Sequence, residues 1–284
     1  MINLVEGKIS NSQYIYYYNL IMDIIFYVIC CNEVRKDFMK EQFTSLDIPY
    51  EIVYFDAFTP DNSQDWLSKT EKYASDRLQC CFRSHVGVLK DFMDNHKHDY
   101  VCVIEDDVCL LKEGFVEKLE FYIKQYENVK MNGVDYLSIG YLPTITSNTF
   151  KTPYLDDEKF QLVRNENGLY YDFANCGFTI WGTQCQIFPR KTCDMIIDTL
   201  YKDNGDDVLT SANEYYNKYG YYQNKVIYLT PDAVFPTLFS QSVVYPPLCM
   251  EGRMYSEIHN NNESELRFQN IVNYGMDLTK YYNF

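Results

Sequence analysis

An α/β fold, with a Rossmann-like and mainly parallel central sheet flanked by helices, is predicted by three features of the sequence. The run "IIFYVICC" (24–31) is continuously β-branched or aromatic, as expected of a strand covered on both faces. "RKDFMKEQFTSL" (35–46) then spaces its apolar residues at 38, 39, 43 and 46 with charges between, a helical pattern. "YEIVYFDAF" (50–58) is a second strand, and strand, helix, strand at this spacing is a βαβ unit.

The remaining elements follow in order. After a polar stretch with Pro60 and Asn62, residues 78–95 read as a helix ending at "DNHKHD", and "YVCVIEDD" supplies the next strand. "FVEKLEFYIKQY" (115–126) is amphipathic, and "VDYLSIGY" (134–141) is a strand closing on Gly140. Residues 142–172 are polar, with Pro143, Pro153 and two acidic clusters, and are expected to form a mobile loop or lid. "FTIWGTQCQIF" (178–188) reads as a strand, "RKTCDMIIDTLY" (190–201) as a helix and "KVIYLTPDAVF" (225–235) as a late strand; the last thirty-five residues receive no assignment. There is no internal repeat.

Composition narrows the function classes. A chain of 284 residues, 46% hydrophobic, can bury a large core and is not globally disordered. The formal net charge of −15 would repel a phosphate backbone, and no basic patch offsets it, so nucleic acid is excluded as a partner. The ten cysteines sit mostly inside apolar runs, and none has zinc-motif spacing, which points to free thiols and a reduced, cytoplasmic location. "YIYYYNLIMDIIFYVICC" (14–31) is long and apolar, but Asp23, its five tyrosines and the missing basic region argue for a lead-in and a buried first strand, without a membrane span. Abundant Asn, Ile, Lys, Phe and Tyr fit an AT-rich coding bias of the kind found in viruses or low-GC microbes, and for a virus the location would be the host cytoplasm.

The candidate site is the end of the third strand. In open parallel sheets ligands collect at the carboxyl ends of the strands, where "VIEDDV" delivers Glu105, Asp106 and Asp107. Three adjacent acids repel one another, and a divalent cation would remove that cost. Oxygen ligands of this hardness suit Mg²⁺ or Mn²⁺.

"VIEDDV", with "SHVGVLKDF" upstream, resembles glycosyltransferase family 25, which includes lipopolysaccharide β-galactosyltransferases and procollagen galactosyltransferases. "FYVICCNEVRKDF", "YFDAF", "VDYLSIGY", "GTQCQIFPRKTCDMII", "DDVL", "FPTLFSQS" and "YSEI" are similar to further family segments in the family's order, from about residue 25 to 258. Three departures stand out: Cys30 and Cys31 replace an asparagine–leucine pair, the glycine expected after "FDA" is absent, and "QCCFRSH" stands for glycine-cysteine-alanine-leucine-serine-histidine.

The resemblance implies a GT-A type fold in one domain over 1–284, with a nucleotide-sugar half at about 24–141, an acceptor half at about 142–258 and a tail at 259–284. It also implies inverting transfer of galactose or glucose from a UDP-sugar to a glycan hydroxyl or the hydroxylysine of a collagen-like protein, with Mn²⁺ or Mg²⁺ as cofactor. Glu105 and Asp107 would be the metal ligands of an Asp-x-Asp kind of motif, with Asp106 facing donor or a nearby cation. Asp206 in "DDVL" is the candidate base and Asp207 the alternative, against the reading of both as turn acids after Gly205. Asn32 and Arg35 would grip the base and ribose, and Asp56 in "YFDAF" joins the donor-binding set. Ser84 and His85 match a family pair; His85 could contact the metal, the diphosphate or a backbone carbonyl. Gln241 matches a late family glutamine and is grouped with donor binding. A homodimer is left open. His96 and His98 have the spacing of a metal pair but lie in a polar turn with no family counterpart, and are expected to be solvated.

Two rival classes are weighed. A Mg²⁺-dependent phosphotransferase or nuclease would need a phosphate-binding glycine loop or basic groove, and neither is present. A non-catalytic glycan-binding or scaffolding module would keep the fold, and the 28 tyrosines would suit sugar stacking.

Overall fold

A computed structural model describes residues 22–63, 76–129, 134–141, 161–165, 168–172, 182–201, 208, 211–212, 230–245 and 247–252. The strands are β1 (Ile24–Cys30), β2 (Glu51–Asp56), β3 (Tyr100–Glu105), β4 (Val108–Leu110), β5 (Tyr136–Gly140), β6 (Gln161–Asn165), β7 (Gly168–Asp172), β8 (Cys185–Pro189), β9 (Gln241–Tyr245) and β10 (Cys249–Glu251). The helices are α1 (Glu33–Ser45), α2 (Asp76–Asn95), α3 (Phe115–Val129), α4 (Arg190–Leu200) and α5 (Pro231–Leu238).

The main sheet runs β2-β1-β3-β8-β5-β9-β7-β6. Strand β1 is parallel to both β2 and β3, and β5 is parallel to β9. Only β8 and β7 run against the others along this path, so the sheet is mostly parallel with reversed strands inserted. The continuous apolar run of β1 has a simple cause. Phe26 and Val28 pack with Met39 and Phe43 of α1 and with Leu119 and Ile123 of α3. On the opposite face Ile25, Tyr27 and Ile29 meet Phe82, Val86 and Leu89 of α2, together with Ile196 of α4 and Phe235 of α5. Alternate side chains thus feed two cores, and neither face can be polar.

Parallel register places the strand ends together. Ile29 lies opposite Glu105 and Cys30 opposite Asp56, so the carboxyl ends of β1, β2 and β3 emerge along one edge. Beyond them, β4 pairs with β10, and the carboxamide of Gln42 on α1 donates to Val108 O and accepts from Leu110 N–H, both at 2.9 Å.

Several expectations change. Residues 231–235 belong to α5 and not to a strand: extended Thr230 precedes Pro231 at the start of the helix, where proline's fixed φ and missing N–H cost nothing. Part of the expected loop is the β6–β7 hairpin, in which Asn165 pairs with Gly168 across a two-residue connection, and which joins the sheet through β9. Within the segment read as a strand at 178–188, β8 begins at Cys185, and the unassigned region contributes to β10. Residues 14–21, 142–160, 178–181, 225–229 and those after 252 lie outside the described residues. Among the described residues no helix is long and apolar enough to cross a membrane, and the cysteines are free thiols.

The turn that carries the acids is held from below by Gly252, whose N–H donates to Asp107 O. A Cβ at Gly252 would lie 2.5 Å from that oxygen. Gly252→Ala is therefore expected to cost about 1–3 kcal/mol, the usual range for overpacking, and to displace the Asp107 backbone. Urea unfolding measures the first effect. An unchanged midpoint would show that this contact does not position the turn.

Candidate active site

The cleft at the carboxyl ends of β1, β2 and β3 has a volume of about 830 Å³ and is bounded by the start of α1, the segment after β2, the first half of α2 and the acidic turn after β3. Asn32, Arg35, Phe58, Ser84, His85 and all three consecutive acids line it.

The three acids have different surroundings. Asp106 is buried: Oδ1 accepts from Arg35 Nη1 at 2.9 Å and Oδ2 from the Cys31 N–H at 2.6 Å. Burial pushes its carboxyl up, against the opposing pull of Arg35 and the Cys31 N–H. The cation that Asp106 faces is thus Arg35; this pair ties the β3 turn to the start of α1, and the Cys31 N–H ties it to the end of β1. Arg35 itself is buried, so its guanidinium forms part of the cleft wall.

Glu105 Oε1 accepts from Thr183 Oγ1 at 2.6 Å and lies 3.1 Å from His85 Nε2. Its side chain remains 22% exposed. Asp107 stands 3.7 Å from Arg35 Nη1 through Oδ2, while its buried Oδ1 has no hydrogen-bond partner. Burial, and after it the Glu105 charge, holds the Asp107 carboxyl well above the ordinary carboxylate range. A buried carboxylate oxygen without a donor, next to a second acid, is an arrangement that a bound cation would stabilise.

His85 is buried on α2, with Nε2 on Glu105 and Nδ1 unpartnered. Its ring, the Cys81 thiol and the Glu105 carboxylate offer ligand atoms within 4.8 Å of one another. Burial pushes the Cys81 thiol far up. The hard oxygen donors of the site are the carboxylates of Glu105 and Asp107, a type that suits Mn²⁺ or Mg²⁺.

Other sequence candidates occupy supporting positions. Asn32 caps α1, its Oδ1 accepting from Arg35 N–H at 3.0 Å. Ser84 donates to Cys80 O at 2.7 Å and accepts from Phe58 N–H at 2.9 Å, which fixes the aromatic wall of the cleft. Asp56 ends β2 at the same edge, is exposed and is not among the cleft-lining residues. Gln241 is buried on β9, where its Nε2 donates to Ser138 Oγ at 2.7 Å, away from the cleft lining. Asp206 and Asp207 lie outside the described residues.

Three residues near the acids escaped the sequence reading. Thr183 and Cys81 carry no pattern of their own; each reaches Glu105 only through the fold. Asp232 was obscured by reading 225–235 as a strand. It lies in the first turn of α5, where burial and then the charge of Glu105 raise its carboxyl, and His85 acts in the opposite sense.

His96 and His98 are only partly solvated. Their side chains are 19% and 25% exposed, because Arg190 binds the carbonyls of both residues and draws the turn against the sheet.

The profile of glycosyltransferase family 25 (LPS biosynthesis protein) matches residues 24–225, which contain the whole described cleft. A fold with an acid-tipped parallel β1–β3 unit, matched in this way, defines the protein as a glycosyltransferase. The chain belongs to glycosyltransferase family 25. It is also similar to the crystal structure of a glycosyltransferase involved in the glycosylation of the major capsid of PBCV-1, at 9% identity over 86% of this chain and 98% of that chain. The TM-score there is 0.35. No curated protein matches the chain.

Proposed function

We propose that the protein transfers a hexose, galactose or glucose, from a UDP-sugar to a hydroxyl acceptor on a glycan or on hydroxylysine of a collagen-like protein, with inversion and with Mn²⁺ or Mg²⁺ as cofactor. The observation that carries this reading is the buried, unpartnered Oδ1 of Asp107 beside Glu105 in a cleft of about 830 Å³ at the carboxyl ends of parallel strands. Glu105 and Asp107 would hold the cation. When bound, it supplies Lewis-acid stabilisation of the charge that builds on the diphosphate leaving group.

The chain's own groups do the rest. Thr183 and His85 hold Glu105 Oε1 in place, and the Asp106–Arg35 pair keeps the acidic turn rigid without spending Asp107 on structure. Phe58, fixed through Ser84, offers a flat face to a base or sugar. In the transfer, the anomeric carbon–phosphate oxygen bond breaks as the acceptor oxygen forms its bond from the opposite face. The acceptor proton passes to a carboxylate, for which Asp206, with Asp207 as alternative, remains the candidate. Cytoplasmic location and a homodimer belong to the same reading.

Thermal shift against a panel of UDP-sugars tests it. A Tm rise is expected only with sugar nucleotide and Mn²⁺ together, and release of free UDP should identify the donor. Stabilisation without release under any acceptor would favour the non-catalytic module, and no response to any donor would remove the proposal.

A further inference from the structure

A second concentration of metal-type donors lies at the opposite edge of the same three strands. Asp23 immediately precedes β1, Glu51 opens β2, and His98 lies two residues before β3; the register pairs Ile24 with Tyr100 and Ile25 with Glu51, so all three residues share the amino-terminal edge. His96, just beyond the end of α2, joins them. His96 Nδ1 is 3.8 Å from Glu51 Oε1, and His98 Nε2 is 3.8 Å from both Glu51 Oε2 and Asp23 Oδ1.

We propose that His96, His98 and Glu51, with Asp23 as the fourth ligand, form a binding site for Zn²⁺ that is separate from the cleft. Two imidazoles and a carboxylate are a zinc donor set, borderline in softness and unsuited to Mg²⁺ or Ca²⁺. The separations fit the same conclusion. At 3.8 Å the nitrogens and oxygens are too far apart to hydrogen-bond. Ligands that share a tetrahedral zinc at about 2.0–2.1 Å stand roughly 3.3 Å apart, and the ligand atoms of Glu51, His96 and His98 already lie within 4.8 Å of one another, with Asp23 reaching His98.

The ligand backbones are held in advance. Arg190 Nη2 donates to His96 O at 2.6 Å and Nε to His98 O at 2.9 Å, and its guanidinium lies 4.4 Å from the Phe92 ring centroid. One side chain therefore fixes both histidines. The Tyr27 ring stands edge-on to His96 at 5.7 Å, and the Asp23 carbonyl accepts from Asp99 and Tyr100 N–H at 3.0 and 3.1 Å. Among the described residues, no lysine or arginine pairs with Asp23 or Glu51; their ion-pair distances are to the two imidazoles. A cation placed between these groups would neutralise both acids and tie the α2–β3 turn to the starts of β1 and β2. Since β3 spans roughly 17 Å from Tyr100 to Glu105, such an ion cannot serve the cleft, and its role is structural.

The test uses the full chain and Zn²⁺ alone, titrated in competition with a chromophoric chelator near neutral pH, and needs no sugar donor. One equivalent is expected to persist in Asp107→Ala and to weaken at least about tenfold in His98→Ala and in Glu51→Gln, the loss typical even of groups that only support a metal ligand. Glu51→Gln is exposed at a strand end and keeps the fold should His98→Ala not. Co²⁺ loaded into the same equivalent should show visible bands that vanish with these variants. Zinc binding that is unchanged in both variants, or that disappears only with Asp107→Ala, would overturn the site.

Discussion

Asp107→Ala is expected to lower metal-dependent turnover by about 10²- to 10³-fold, the usual loss when one preorganised electrostatic group is removed from an active site, and to leave the fold at least as stable as before. The two halves of this result come from one geometry. Asp107 sits close to Glu105 in buried surroundings, its Oδ1 has no donor, and Arg35 approaches Oδ2 only to 3.7 Å. In the metal-free protein that carboxylate is a liability: an unsatisfied buried polar group costs about 1–3 kcal/mol. Truncation removes the liability, since Arg35 keeps its shorter contact with Asp106. Turnover with and without chelator, set beside urea unfolding in chelator, checks both. A variant that loses stability while retaining activity would make Asp107 a structural residue, and wild-type activity in excess chelator would remove the cation from the mechanism.

Asp106→Ala should act in the opposite way, destabilising the fold by about 3–5 kcal/mol because the buried Arg35 charge loses its shortest carboxylate contact. Arg35 and Asp106 have side chains only 9% and 3% exposed, and the pair is joined at 2.9 Å. Removing Asp106 also leaves the Cys31 N–H at the end of β1 without its acceptor. Activity would fall as a consequence, through loss of the turn that carries Glu105 and Asp107. A double-mutant cycle with Arg35→Met separates the pair from its surroundings: the combined loss should be smaller than the sum of the single losses by about 1–3 kcal/mol. Additivity would show that the two side chains are not coupled and that the β3 turn is held by other contacts.

These predictions place neighbouring residues of one short motif in different roles, which no reading of "EDD" by itself could do. Spacing along the chain brings three carboxylates to a strand end, but only the position of Arg35 on α1 decides which of them becomes the anchor. The same holds for Ser84 and Gln241. Both match family positions, yet their hydrogen bonds to Phe58 and Ser138 show supporting work within the fold. His96 and His98 show the reverse: a turn that looks solvated in sequence is drawn against the sheet by Arg190, nearly a hundred residues later.

The sequence alone determined the βαβ beginning, the helices at α1 to α4, the acidic strand end and the family, because these rest on local periodicity and short-range residue order. A run apolar at every position must be buried on both sides, whatever lies around it. What the tertiary structure alone decided was strand direction and partner choice: β8 reversed between β3 and β5, β7 paired with β9, and the helix at Pro231 where an apolar run suggested a strand. Those depend on contacts between residues far apart in the chain, whose energies leave no local period. The same long-range contacts set the charge environment of each acid, and so the chemistry available at the cleft.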